Sequence, residues 1–211
     1  MVTSDRQGIN TRRERGKRQD MKVIGFTGNY GGEDVMPQAY LMADSSILYS
    51  GRPFFVPDFA TAFVAVPTIV VRMSRLGKCV APKFAHRYWD AFTAGFTLRA
   101  ASGDDERLEG LARAFDGAAI VGEWVQAASV DDPLHEMAVV RVGDTVVAQC
   151  CLAHMRHPLD ELIAACSTRC SIKMGDLLIT GEAGDGHALT PGDKLTACIG
   201  SRQVLDVKVR L

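Results

Sequence analysis

The segment Met174-Gly-Asp-Leu-Leu-Ile-Thr-Gly181, with Leu189-Thr-Pro-Gly-Asp-Lys194 close behind it, holds a complete strand–loop–turn–strand unit. Residues 177–180 are apolar or β-branched and bounded by Gly175 and Gly181, the pattern of a short buried strand. Residues 181–186 form a glycine-rich loop. Pro191-Gly-Asp193 is turn chemistry, because proline presets its own φ and glycine takes the conformations that other residues avoid. Two closing strands are predicted after it, at 194–199 and 202–209.

Upstream, the same signals recur. Strands are predicted at 22–27, 38–42, 46–49 and 53–56. A long β-branched run spans 62–73 and contains Pro67, which cannot donate to a ladder and predicts a bulge or an edge at that point. Helical character is predicted at 82–89, strand composition at 91–100, a turn at Gly103-Asp-Asp105, a short helix at 106–114 and a strand at 118–125. Strands 137–142 and 145–150 flank Gly143-Asp144 as a hairpin. Leu159, Leu162, Ile163 and Cys166 recur at helical spacing within 158–170, and Asp160 and Glu161 in the first turn complement the helix dipole. Strands outnumber helices and do not alternate with them, so the predicted class is α+β, strand-dominated, with a mixed or antiparallel sheet.

The 211 residues, 47% hydrophobic and 23% charged, have the composition of one domain able to bury a core. Residues 1–20 are polar and basic and predict a disordered leader, with the folded domain spanning 21–211. A formal net charge of −1 offers no global field for nucleic acid or anionic membranes. The basic cluster Arg12, Arg13, Arg15, Lys17 and Arg18 could touch a polyanion, but a solvated tail is the plainer reading. No apolar run is long enough to span a bilayer, and a cytoplasmic setting is expected. The six cysteines lack the short regular spacing of a disulfide scaffold and predict mostly buried, reduced thiols.

Several motifs in order are similar to those of the fumarylacetoacetate hydrolase family. They are Gly28-Asn-Tyr30, Asp44-Ser45, Arg52-Pro-Phe-Phe-Val-Pro-Asp58, Val70-Val-Arg72 before Leu76-Gly-Lys78, Phe115-Asp-Gly117 before Ile120-Val-Gly-Glu-Trp124, and the two C-terminal motifs quoted first. The resemblance covers residues 21–211. It implies a mixed β-sandwich roll with a few short helices, usually dimeric. It also implies chemistry on small oxo-acids, in which Mg²⁺, Mn²⁺ or Ca²⁺ held by carboxylates stabilises an enolate.

The carboxylates are where the chain departs. The family's Glu-x-Glu pair aligns with Val66 and Thr68, and its third ligand, an Asp, with Thr97. No Asp or Glu occurs in 62–73 or 91–102, so no shift of register restores them. The positions of the family's histidine and two lysines align with Glu33, Met42 and Arg113. In the glycine loop Glu182 replaces a neutral hydroxyl and should repel an anionic ligand. The resemblance places Asn29, Tyr30, Met42, Arg113, Thr180 and Gly181 around the pocket.

The resulting expectation is a non-catalytic family member, without a metal cofactor. It would bind a small oxo-acid-like ligand or regulate a relative, as a homodimer or as a heterodimer with an active paralogue. The alternative is an active hydrolase or isomerase of small oxo-acids, of acylpyruvate or hydroxy-diene-dioate type, rebuilt around Glu33, Glu182, Asp185 and His187. A zinc reading of His154, His157, Cys166 and Cys170 lacks a standard zinc-site spacing. A thiol enzyme lacks a paired histidine, and His86 beside Tyr88 and Trp89 reads as part of a packed helix.

Overall fold

The computed structural model describes residues 21–31, 37–102 and 106–211. Its strands are β1 (Val23–Thr27), β2 (Gln38–Met42), β3 (Ile47–Tyr49), β4 (Phe54–Phe55), β5 (Ala62–Met73), β6 (Trp89–Ser102), β7 (Ala119–Val121), β8 (Val125–Gln126), β9 (Ala138–Val142), β10 (Thr145–Cys150), β11 (Leu177–Ile179), β12 (His187–Ala188), β13 (Lys194–Ile199) and β14 (Arg202–Arg210). The α-helices are α1 (Pro82–Ala85) and α2 (Leu159–Arg169). Among the described residues the larger sheet runs β2-β1-β11-β5-β6-β7-β3, with β12 added to β5 and β8 to β6, and the smaller runs β10-β9-β13-β14-β4. β1–β11, β3–β7 and β14–β4 are parallel pairs and the rest antiparallel, a mixed, strand-dominated roll as expected.

Alternation along the strands sorts side chains into layers. Ala65, Ile69 and Val71 of β5 and Phe92, Ala94, Phe96 and Leu98 of β6 join Val140, Leu195, Ala197 and Val207 of the smaller sheet in one buried cluster. The apolar stripe of α2, through Leu159, Leu162, Ile163 and Cys166, completes it. The opposite face of the larger sheet carries a second, smaller cluster of Val23, Met42, Val70, Ala119, Val121, Leu177 and Ile179.

Pro67 needs no bulge. It pairs with Phe96 in an unbroken register, and the register shifts of this pair lie at Ala62/Phe63 and Arg72/Met73. On its other side β11 stops at Val70 and β12 starts at Ala65, so Pro67 occupies a local edge where its missing N–H costs no ladder bond. Its carbonyl accepts from the Ala183 N–H at 2.8 Å, which ties down the glycine loop.

Three expected elements are shorter. Helix 82–89 reduces to α1, because the chain turns back at Tyr88, whose carbonyl accepts from the Ser74 N–H at 2.8 Å, and Trp89 already pairs with Met73. Helix 106–114 is a 3₁₀ segment, Glu106–Leu111, broken at Leu108. Leu108 and Leu111 are exposed, so no packed apolar face holds a longer helix. Strand 118–125 divides into β7 and the start of β8, because after Gly122, which still bonds to Ala94 of β6, Glu123 turns to Val204 of the smaller sheet. The turn at 103–105 and the leader at 1–20 lie outside the described residues.

All six cysteines are free thiols; Cys150, Cys151 and Cys166 are buried, and Cys79 is exposed. Burial pushes Cys150 from 9.0 up to about 12, helped by neighbouring Cys151. Burial does the same to Cys166, also to about 12, with Cys170 adding to the rise. A folded pKa above the unfolded one means that the native thiol keeps its proton while the unfolded one ionises, so stability falls as pH rises from 9 toward 12. Each thiol contributes a slope of up to about 1.4 kcal/mol per pH unit. Unfolding measured across that range should show the decline, and Cys150→Ala should remove one thiol's share of it while Cys166 keeps the other; an unchanged slope would contradict the assignment to Cys150.

Candidate functional site

The strand register gathers the site on the face of the larger sheet that turns away from the smaller one. Val66 pairs with Thr97 and Thr68 with Gly95, so Val66, Thr68, Thr97 and Arg99 share that face. Tyr40 pairs with Gly25, flanked on the same side by Gln38 opposite Thr27 and Met42 opposite Val23. A cleft of about 720 Å³ opens here, lined among others by Gln38, Tyr40, Val66, Arg99, Glu109, Arg113, Glu182 and Asp185.

Arg113 organises it. Its Nη2 donates to Glu182 Oε1 at 2.9 Å, and its guanidinium lies 5.0 Å from the Tyr40 ring centre. The ring rests on β1 at Gly25, where a Cβ would overlap it, so only glycine lets Tyr40 lie flat. Burial pushes the Tyr40 phenol up to about 12; Arg113 and Thr97 beside it pull the other way, and Glu182 adds to the rise. Among the described residues, Tyr40 OH, Thr97 Oγ1 and Arg113 Nη1 are buried with no hydrogen-bond partner. Buried polar groups are nearly always paired, so three together are an unusual concentration.

A deeper layer is fully bonded. Tyr30 OH lies 3.0 Å from Thr180 Oγ1, which donates to the Ile69 carbonyl at 2.9 Å. Burial raises the Tyr30 phenol well above its ordinary value. Asn29 donates to the carbonyls of His157 and Thr180 at 3.1 and 3.0 Å and accepts from the His157 N–H at 2.9 Å. The Gly-Asn-Tyr motif therefore clamps the end of β1 to β11 and to the approach to α2.

The family model described as fumarylacetoacetate (FAA) hydrolase C-terminal matches residues 15–210. The chain belongs to the fumarylacetoacetate hydrolase family. The match reaches into the stretch expected to be a leader. No relative among the curated proteins matches. Solved structures with the same fold include the fumarylpyruvate hydrolase from Pseudomonas aeruginosa in complex with Mn²⁺ and pyruvate, at TM-score 0.80 and 17% identity, covering 93% of this chain and 94% of that one. The 2-hydroxyhepta-2,4-diene-1,7-dioate isomerase from Mycobacterium marinum is similar at TM-score 0.79 and 22% identity, covering 90% and 74%. The 5-carboxymethyl-2-hydroxymuconate delta-isomerase from Mycobacterium smegmatis follows at 0.78 and 20%, covering 90% and 78%.

At Val66, Thr68 and Thr97, where the motifs lead us to expect the family's metal carboxylates, the side chains do not fit a hard divalent cation. Val66 is buried and apolar, and Thr68 Oγ1 donates to the Gly181 carbonyl at 2.7 Å. Thr97 offers a neutral hydroxyl, and the cation nearby is the guanidinium of Arg113. Among the described residues no group of three or more His, Cys, Asp or Glu is placed to hold a metal ion. In the zinc reading, His157 Nδ1 instead faces Glu161 Oε2 at 3.2 Å, and Cys170 Sγ faces the Cys166 carbonyl at 3.7 Å.

Of the residues expected around the pocket, Arg113 lines the cleft. Asn29, Tyr30, Thr180 and Gly181 form the bonded layer behind it, and Met42 is buried in the small apolar cluster. Glu182 and Asp185 line the cleft, and Glu33 lies outside the described residues. His187 is held away from them on β12, its Nε2 3.8 Å from Asp193 Oδ2. Glu182 does not stand free to repel an anion, because Arg113 pairs with it. Sequence reasoning missed Tyr40, Gln38, Arg99 and Glu109. Gln38 and Tyr40 sit at alternate positions of a correctly bounded strand, but which face they share depends on β1.

Proposed function

We propose that this family member binds a small oxo-acid-like ligand in the Tyr40–Arg113–Glu182 cleft without a divalent cation, and that it is not a hydrolase or isomerase of the family's metal-dependent kind. The observation that carries this reading is the filling of the carboxylate positions by Val66, a committed Thr68 hydroxyl and Thr97, beside a fixed guanidinium. Without charged oxygens at those three positions a hard cation keeps its water, and the nearby Glu182 carboxylate is already engaged by Arg113. A role as regulator of an active relative, as a homodimer or a heterodimer with a paralogue, fits a chain that keeps the fold but not the donor set. Six free thiols favour a cytoplasmic setting, and no helix of the described residues is long and apolar enough to cross a membrane.

The test is metal content and thermal shift with Mg²⁺, Mn²⁺, Ca²⁺ and Zn²⁺, each with and without pyruvate or oxalate. Pyruvate is a natural probe, since the structurally similar Pseudomonas enzyme was solved with it. The expected outcome is a pyruvate-dependent shift that added metal does not increase. A stoichiometric metal with an oxo-acid shift that depends on it would overturn the proposal.

The second reading, a hydrolase or isomerase rebuilt from Glu182 and Asp185 with Glu33 and His187, draws on the two carboxylates that line the cleft. It requires metal-dependent turnover of an acylpyruvate that Glu182→Gln abolishes.

A further inference from the structure

A surplus of buried donors defines what the cleft lacks. Arg113 Nη1 can only donate, while the hydroxyls of Tyr40 and Thr97 can each donate one proton and also accept, so the three together hold more donors than they can satisfy among themselves. All three atoms are buried among the described residues with no hydrogen bond of good geometry, although Tyr40 OH lies beside both Arg113 and Thr97; Tyr40 and Arg113 line the cleft, and Thr97, 2% exposed, lies behind them. Tyr40 joins them, with Arg113 over its ring at 5.0 Å and Thr97 beside its hydroxyl. The group that satisfies them is rich in acceptor oxygens and carries negative charge. A carboxylate meets both conditions, and a guanidinium recognises it with directed bonds where a metal ion would supply only a point charge.

Glu182 already gives this guanidinium one carboxylate, at 2.9 Å through Nη2, and leaves Nη1 open. The pair is partly exposed on both sides, with side-chain accessibilities of 23% and 29%, so Glu182 can be displaced into solvent. The backbone beside it is tied down by the Ala183 N–H bond to the Pro67 carbonyl, so the movement is that of the Glu182 side chain.

We infer that Tyr40 and Arg113, backed by Thr97, form a direct, metal-free seat for a ligand carboxylate, and that Glu182 is its resident competitor, a built-in latch on Arg113. This rests on the cation-independent reading above and deepens it by naming the recognised group and the residue that regulates access.

The experiment is calorimetric titration of the full chain with sodium pyruvate in EDTA, alongside acetone, which keeps the carbonyl but lacks the carboxylate. Glu182→Gln weakens the resident pair without emptying its volume and should tighten pyruvate binding about fivefold. Arg113→Met should abolish it. Thr97→Val, equal in shape, and Tyr40→Phe should each weaken it severalfold, with circular dichroism confirming that every variant is folded. Acetone should not bind.

Pyruvate binding in EDTA that neither Glu182→Gln nor Arg113→Met changes overturns the seat and the latch while leaving metal-free binding in place. Equal binding of acetone overturns carboxylate recognition. No binding to either the parent or Glu182→Gln overturns the inference and leaves the three donors to water. Binding that appears only when Mn²⁺ replaces EDTA overturns the cation-independent reading itself.

Discussion

Asp176→Ala is expected to lower the unfolding free energy by about 3–5 kcal/mol, the range for removing one partner of a buried charged network. Asp176 is 1% exposed and belongs to the Gly-Asp motif just before β11. Its Oδ1 accepts from the Lys22 N–H at 3.0 Å, and its Oδ2 accepts from the Lys173 N–H at 2.6 Å and from the Lys22 ammonium. Alanine leaves two backbone donors and an ammonium without their acceptor at the point where β1 and β11 begin their parallel pairing, Val23 opposite Leu177. Lys22 is about a quarter exposed, which lets water recover part of its loss and favours the lower end of the range. Urea unfolding at constant m-value reads the effect. Asp176→Asn, which keeps one acceptor oxygen, should fall between the parent and alanine, and a loss below about 1 kcal/mol for alanine would show that the cluster is not a clamp.

Gly95→Ala is expected to cost about 3 kcal/mol or more, at the upper end for overpacking in a core. A Cβ on Gly95 would overlap the carbonyl oxygen of Ile120, a backbone atom of the neighbouring strand that no rotamer change can move. β6 and β7 pair across Gly95 and Val121, so relief requires β7 to shift, carrying with it the segment that leads from Arg113. The same substitution should therefore weaken pyruvate binding although Gly95 lies outside the cleft lining. Gly110→Ala is the control, because a Cβ there meets nothing within 4 Å, and it should change stability by less than about 0.5 kcal/mol. Equal effects at the two positions would refute the steric argument.

The strands were legible where one physical signal dominated. Ala62–Met73, Gln38–Met42, Thr145–Cys150 and Lys194–Ile199 are β-branched or alternating runs closed by turn residues, and their bounds match those read along the chain. Helix 82–89 was overread because the chain turns back into β6 at Tyr88, and helix 106–114 because helical composition is a weak signal when no apolar face finds a partner. Phe84 and Leu111 remain exposed.

In the sequence the candidate site was expected as a set of departures. Val66, Thr68 and Thr97 were singled out by alignment to a motif, and the strand register then placed them on one face. Their environment was not legible. Glu182, expected to repel an anion, is paired with Arg113, which stands 69 positions away in the chain.

By itself the sequence determined the family, the strand-rich class and the absence of acidic residues from 62–73 and 91–102, since these depend on residue identity and local pattern. The tertiary structure decided which groups meet. Tyr40 reaches the site because β2 pairs with β1 in the register that sets it over Gly25. Thr97 and Arg113 lie beside it, although they belong to different segments of the chain. Such meetings are fixed by strand pairing and burial across the whole chain, which no window of neighbouring residues encodes.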